Sequence, residues 1–115
     1  MQGVGRKVTA REVLMDARGR IQQGWCQGAD ARDADGRRVA PWSPDARSWS
    51  VLGALVASEG DLDVRAHATG AELGRAVSVL AEAVGSSSLQ AWNDEPERTR
   101  DEVVAAFDRA LARLD

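Results

Sequence analysis

Residues 99–114 read TRDEVVAAFDRALARL, and this stretch decides the fold class. Thr99 and Glu102 form a capping box. The threonine hydroxyl accepts from the backbone N–H at the third helical position while the glutamate carboxylate reaches back to the threonine N–H, so two donors that a helix start leaves orphaned are satisfied together. Behind the box, Val103, Val104, Phe107, Leu111 and Leu114 recur at helical spacing and predict one buried stripe. The same Thr-x-x-Glu pattern stands at Thr9–Glu12 and at Thr69–Glu72.

Working outward, the Thr9 box predicts a helix from about Ala10 to Gln23 with Val13, Leu14, Ala17 and Ile21 on its inner face and Gly24 as the stop. Val8 and Val13 occupy the two positions of a hydrophobic staple. The Thr69 box predicts a helix from about Gly70 to Val84, with Leu73, Ala76, Val77, Leu80 and Val84 inward and Gly85 closing it. A further helix has a different start signal, Ser43-Pro44-Asp45: serine caps, proline fills the first turn where its missing N–H costs nothing, and aspartate complements the dipole. Its expected inner face is Ala46, Trp49, Leu52 and Val56, and its end lies near Gly60. Gly53, in its middle, costs about 1 kcal/mol relative to alanine, which signals the close approach of another backbone or of a ligand, most simply another helix. Residues 61–68 read as a polar connector.

Between the first and second of these helices the periodicity disappears. Residues 25–42 carry Asp35-Gly36, a dipeptide that tolerates the positive φ of a tight turn, and predict a short β-hairpin or ordered-loop insert. The expected fold class is therefore mainly α: one domain over residues 1–115, a compact bundle of about four helices carrying that insert, with residues 1–7 as a flexible N-terminus.

Composition agrees with a single modest core. A chain of 115 residues with 43% hydrophobic and 29% charged residues has the balance of a globular domain rather than of a disordered one. Cys26 is the sole cysteine and His67 the sole histidine, so neither an internal disulfide nor a Cys/His zinc site is possible within one chain, and a cytoplasmic setting follows as the expectation. No uncharged run approaches a membrane span. Net charge is −3 but uneven: residues 1–40 hold eight Lys/Arg against five Asp/Glu, while residues 41–115 hold seven against thirteen. Such asymmetry can steer an anionic partner or a head-to-tail self-contact. The net negative charge argues against nucleic acid as a partner, even with Arg6, Lys7, Arg11, Arg18 and Arg20 near the front.

Chemistry-bearing residues are sparse. Asp30, Asp33, Asp35 and Gly36 invite a calcium reading, but placing Asp33 and Asp35 at the third and fifth loop positions leaves Ala31 first and Trp42 twelfth, so no metal site is expected and the acids are read as capping turn N–H groups. Cys26, His67 and Asp94 hold the ingredients of a nucleophile, base and orienter without a local signature. No phosphate-binding glycine loop is present. The tryptophans are more informative. Trp25, Trp42, Trp49 and Trp92 carry nearly all aromatic duty in a chain with no tyrosine and one phenylalanine, and such residues line pockets and anchor interfaces as well as cores. Ahead of the last helix, Trp92-Asn93-Asp94 and Arg98 form a loop that rigid helices would support, a common place for binding groups.

Gly24-Trp25 with Gln27-Gly28, Ala31-Arg32-Asp33-Ala34-Asp35-Gly36, Trp49 with Leu52-Gly53-Ala54-Leu55, and Trp92-Asn93-Asp94 followed by Arg98-Thr99 and Glu102-Val103 occur in this order along the chain. In these stretches the chain resembles the domain of unknown function 6197 family of small bacterial and phage proteins. The resemblance implies a single helical domain and names no activity or substrate.

The leading expectation is a small cytosolic binding or accessory protein, in which Trp25, Trp42, Trp49, Trp92, Asn93, Asp94 and Arg98 form a pocket or partner surface for a small molecule or a protein. The alternative is a small cofactor-independent enzyme acting on an apolar or aromatic metabolite, with Asp94, His67 or an acid of the Asp30 to Asp35 turn moving a proton, or Cys26 attacking. Neither reading calls for a cofactor. A thin core also leaves Leu111 and Leu114 as the expected surface of a homodimer.

Overall fold

The computed structural model of the chain describes residues 8–66 and 71–114, without the side chains of residues 63–66. Among these the order is α1 (Ala10–Gln23), β1 (Ala31–Arg32), β2 (Arg38–Val39), β3 (Ser48–Trp49), α2 (Val51–Ala66), α3 (Ala71–Val84), α4 (Leu89–Asn93) and α5 (Arg100–Arg113). The protein is mainly helical, with a small antiparallel sheet between α1 and α2. No helix of the described residues is long and apolar enough to cross a membrane.

Two of the three capping boxes form as the sequence predicts. Thr9 accepts from Glu12 N and Thr99 from Glu102 N, and each glutamate returns to its threonine N–H. Thr69 lies outside the described residues; Glu72 Oε1 accepts from Ala10 N at 2.9 Å, tying the start of α3 to the start of α1. Helix α1 is the centre of the molecule and contacts α2, α3 and α5. Its stripe of Val13, Leu14, Ala17 and Ile21 is fully buried. Against it pack Leu55 of α2, Ala76 and Leu80 of α3, and Val103, Ala106, Phe107 and Ala110 of α5. Leu111 and Leu114 are half-buried against this core.

The second long helix corrects the sequence reading. Ser43-Pro44-Asp45 caps a turn, with Asp45 N bonded to Ser43 Oγ at 3.1 Å and Ala46 N to Ser43 O at 3.1 Å. The chain then becomes β3, whose Trp49 and Ser48 pair with Ala31 and Arg32 of β1. Only after it does α2 begin, with Ser50 as its cap: Gly53 N donates to Ser50 Oγ at 3.0 Å. The helix continues past Gly60 and takes up residues 61–66 of the expected connector. Its buried residues are Val51, Gly53, Ala54, Leu55, Ala57 and Ser58, a face rotated away from the expected Leu52 and Val56. Pairing wins over the local cap signal because Trp49 gains burial, two strand neighbours and a bond from its Nε1 to Pro41 O at 3.0 Å.

The expected hairpin is present, and it is one edge of a sheet ordered β2-β1-β3. Asp33 N donates to Arg37 O at 2.9 Å, Gly36 sits at φ 82°, and Asp33 Oδ1 accepts from Asp35 N and Arg37 N, both at 2.9 Å. The free side of β3 is covered by Trp25: Cys26 N donates to Trp49 O and Trp49 N to Gly24 O. Gly24 stops α1 as expected, in extended backbone. Its glycine is required because a Cβ there would lie 2.3 Å from Arg47 O.

Gly53 has a related explanation. A Cβ would stand 1.9 Å from Asp30 O, so the close neighbour is the insert's backbone and not another helix. That carbonyl is itself held by Ser50 N at 3.0 Å and cannot step aside without loss. Gly53→Ala is therefore expected to lower the free energy of unfolding by at least about 2 kcal/mol despite alanine's better helix propensity. Gly74→Ala, on an exposed turn of α3 with open space around the new methyl, is expected to raise it by about 0.5–1 kcal/mol. Urea unfolding of the two variants, followed by circular dichroism, checks both signs.

Candidate functional site

The loop that leaves α1 runs through Trp25, Cys26, Gln27 and Gly28 and meets the C-terminal end of α4. Helix α4 exists because Ser88 caps it, accepting from Ala91 N, and because Leu89 is buried under it. Its last residue, Asn93, is fully buried and uses its whole amide. Oδ1 accepts from Trp25 Nε1 at 2.8 Å and from Val51 N at 3.0 Å, while Nδ2 donates to Cys26 O at 3.1 Å and to Asp94 Oδ1 at 2.9 Å. One side chain thereby joins α4, the Trp25 loop and the first N–H of α2. Gln27 adds a second strap, its Nε2 donating to Asn93 O at 2.9 Å and to Glu95 O at 2.7 Å.

Asp94 is the next element of the latch. Its Oδ1 also accepts from Gly28 N at 3.0 Å, and Oδ2 accepts from Gln90 Nε2 at 2.9 Å. Burial is the largest single influence on its ionisation and disfavours the charge, but the bonds from Asn93, Gly28 and Gln90 together outweigh it and hold the carboxyl below the usual aspartate range. Cys26 is shifted the other way. Burial pushes its thiol up, opposed by Ser48 and Arg32, and the Sγ–H points at Ala29 O at 3.7 Å. Arg98 lies flat over Trp92, its guanidinium carbon 4.0 Å from the ring centre, and donates to Trp92 O at 2.9 Å.

The sequence-predicted residues thus divide. Trp25, Cys26, Asn93 and Asp94 are brought together, with Trp92 and Arg98 stacked beside them. Trp49 joins Trp25 through the strand bridge and lies under the Arg20 guanidinium, 5.4 Å away. Trp42 is separate: it is 71% exposed, whereas Trp49 is 5% exposed. His67 lies outside the described residues. Trp42 instead borders an open cleft of about 500 Å³ with Gly28, Asp30, Arg38, Pro41 and Gln90. The tryptophans do not line one pocket; three are engaged with the protein and one is presented to solvent. Gln27, Gly28, Gln90 and Ser50 are not among the residues the sequence singles out as a site: Gln27 and Ser50 bond main-chain atoms, Gly28 N and the Gln90 amide bond the Asp94 carboxylate, and such pairings carry no local residue signature. Asp33 is taken up by its turn, and no group of three metal-binding side chains occurs among the described residues.

A family model described as a family of unknown function (DUF6197) matches residues 5–113. No curated protein and no solved structure matches the chain.

Removing the Asn93 amide leaves Val51 N and Cys26 O buried without partners and takes the partner of the half-buried Trp25 Nε1, so Asn93→Ala is expected to cost about 3–5 kcal/mol in chemical denaturation. For Asp94 the sign follows from its lowered folded pKa. Its contribution is fully present above the unfolded value of about 3.9 and is lost as pH falls through the folded one. Asp94→Asn is expected to be less stable than the parent at neutral pH, and the gap to close below about pH 4, in urea midpoints measured across pH.

Proposed function

We propose that this chain, which belongs to the DUF6197 family, is a small binding or accessory protein whose partner surface is the open cleft beside Trp42. The observation that carries the reading is the exposure of Trp42 on an ordered turn. Ser43 N is bonded to Ala40 O at 3.0 Å, and Pro41, buried and accepting from Trp49 Nε1, pins the residue before the tryptophan. A large indole held out of the core by a rigid base gains apolar burial when a partner covers it, at little cost in ordering. Trp42 and Met15 are the exposed large hydrophobic side chains among the described residues, and only Trp42 lies beside the cleft.

The groups around it suit recognition. Arg38 and Asp30 are exposed at the rim, and an aromatic anchor flanked by arginine is a recurrent hot-spot composition. The insert's attachment through Asn93 and Asp94 supports the same reading, since a surface fixed by buried bonds does not have to be ordered at each encounter. A reducing cytosol is the setting we assign, on the strength of a single buried cysteine.

The enzyme alternative draws less support from the described groups. A carboxyl held ionised and occupied by three donors is a poor general acid, and a thiol pushed up by burial is a poor nucleophile.

Trp42→Ala discriminates. Because the side chain is exposed, the substitution is expected to leave stability within about 0.5 kcal/mol. As an interface anchor it is expected to weaken binding by roughly 30-fold, about 2 kcal/mol. Affinity capture from host extract with parent and variant proteins, each eluate assayed for proteins and small molecules, is the measurement. Saturable binding that Trp42→Ala leaves intact sinks the reading.

A further inference from the structure

The cleft borders a second feature of opposite character. Gly28 and Gln90 line it, and both are bonded to the Asp94 carboxylate. The next residues, Glu95-Pro96-Glu97, form a turn fixed by Arg98 N bonded to Glu95 O at 3.0 Å and by the Gln27 strap. With Arg98 and Glu102 they bound an open hollow of about 260 Å³. Pro96, Glu95 and Glu97 are exposed, and the side chains of both glutamates have no hydrogen bond or ion pair among the described residues; Arg38, at the cleft, has none either.

Resting on the reading of the Trp42 cleft as a partner surface, we propose that its occupant is a second copy of this chain. The pairing is twofold: Trp42 of each protomer enters the hollow at Pro96 and Arg98 of the other, and Arg38 of each meets Glu97. Three features argue for this occupant. One region carries both an unpaired cation with an aromatic knob and unpaired anions with a hollow, and a twofold axis converts such a region into a self-complementary one. The charges are opposite in sign, Arg38 facing Glu97, in a chain whose front is basic and whose remainder is acidic. Both halves are prefixed, the knob by Pro41 and the hollow by Gln27, so little conformational freedom is lost on pairing. The expected homodimer surface at Leu111 and Leu114 is superseded, because both residues already pack against the core.

Sedimentation velocity on the full chain, over a dilution series and at two salt concentrations, tests the proposal. The parent is expected to show a concentration-dependent dimer that weakens as salt screens the Arg38–Glu97 contacts. Arg38→Glu and Glu97→Arg each place like charges in contact twice per dimer, and each is expected to weaken association on the order of tenfold or more. Mixed in equal amounts, the two variants restore both contacts in a heterodimer, so the mixture is expected to associate where neither variant does alone. Both positions are exposed, and unchanged circular dichroism verifies their folding. A parent that stays monomeric, a dimer insensitive to Arg38→Glu, or a mixture that fails to associate overturns the proposal. A monomer whose host ligand still depends on Trp42 would retire the self-pairing and leave the partner-surface reading standing.

Discussion

A primary amide without solvent has to find partners for two donors and two acceptor lone pairs, or it costs several kilocalories per mole. Asn93 meets that demand with atoms from separate parts of the chain: the Trp25 indole, the Val51 N–H, the Cys26 carbonyl and the Asp94 carboxylate. The placement of the insert follows from it. Val51 N is the first orphan donor of α2, so the helix start and the Trp25 loop are positioned by the same oxygen. Asp94 extends the network to Gly28 and Gln90, which form the floor of the Trp42 cleft. A fully satisfied buried network of this kind specifies one arrangement, because any slip leaves several groups unpaired at once.

The sheet needs support from outside its own ladder. Strands of two residues each contribute few ladder bonds, and short isolated hairpins are marginal in water. What fixes them is contact with the helices at backbone distance. Asp30 O receives Ser50 N and lies where only glycine at position 53 can pass, and Gly24 gives the same clearance to Arg47 O. Side-chain interdigitation would hold the insert less closely. The two glycines therefore act as steric permissions for backbone packing, and neither is a turn residue.

These causes explain which parts of the fold were legible in the sequence. The starts of α1 and α5 were, because a capping box is self-contained within four residues. The Asp35-Gly36 hairpin was legible for the same local reason. The start of α2 was not. Ser43-Pro44-Asp45 is the stronger local signal, while the operative cap combines Ser50 with Asn93, whose amide lies 42 residues away in sequence. Of the candidate site, Trp-Asn-Asp stood out as a loop worth notice, but besides the Trp25 indole and the Gln90 amide its partners are main-chain atoms of residues 26, 28 and 51, and main-chain atoms are the same in every sequence. Trp42 was grouped with the other tryptophans because composition reports the number of indoles and not their exposure.

A motif can be specific in sequence and still leave its chemistry inside the protein. Gly24-Trp25, Gln27-Gly28, Gly53 and Trp92-Asn93-Asp94, which belong to the stretches by which the chain resembles its family, are the parts that close the latch and clear its backbone contacts. Their polar atoms are spent on one another, Asp94 is held ionised by its donors, and Cys26 is buried beneath them. Such a set marks a scaffold. Groups with unused capacity lie outside it, and among the described residues those beside the cleft and the hollow are the Trp42 indole, the Arg38 guanidinium and the carboxylates of Asp30, Glu95 and Glu97. Interaction free energy with a partner comes from groups not already satisfied at home, and the latch is the reason those groups hold their positions.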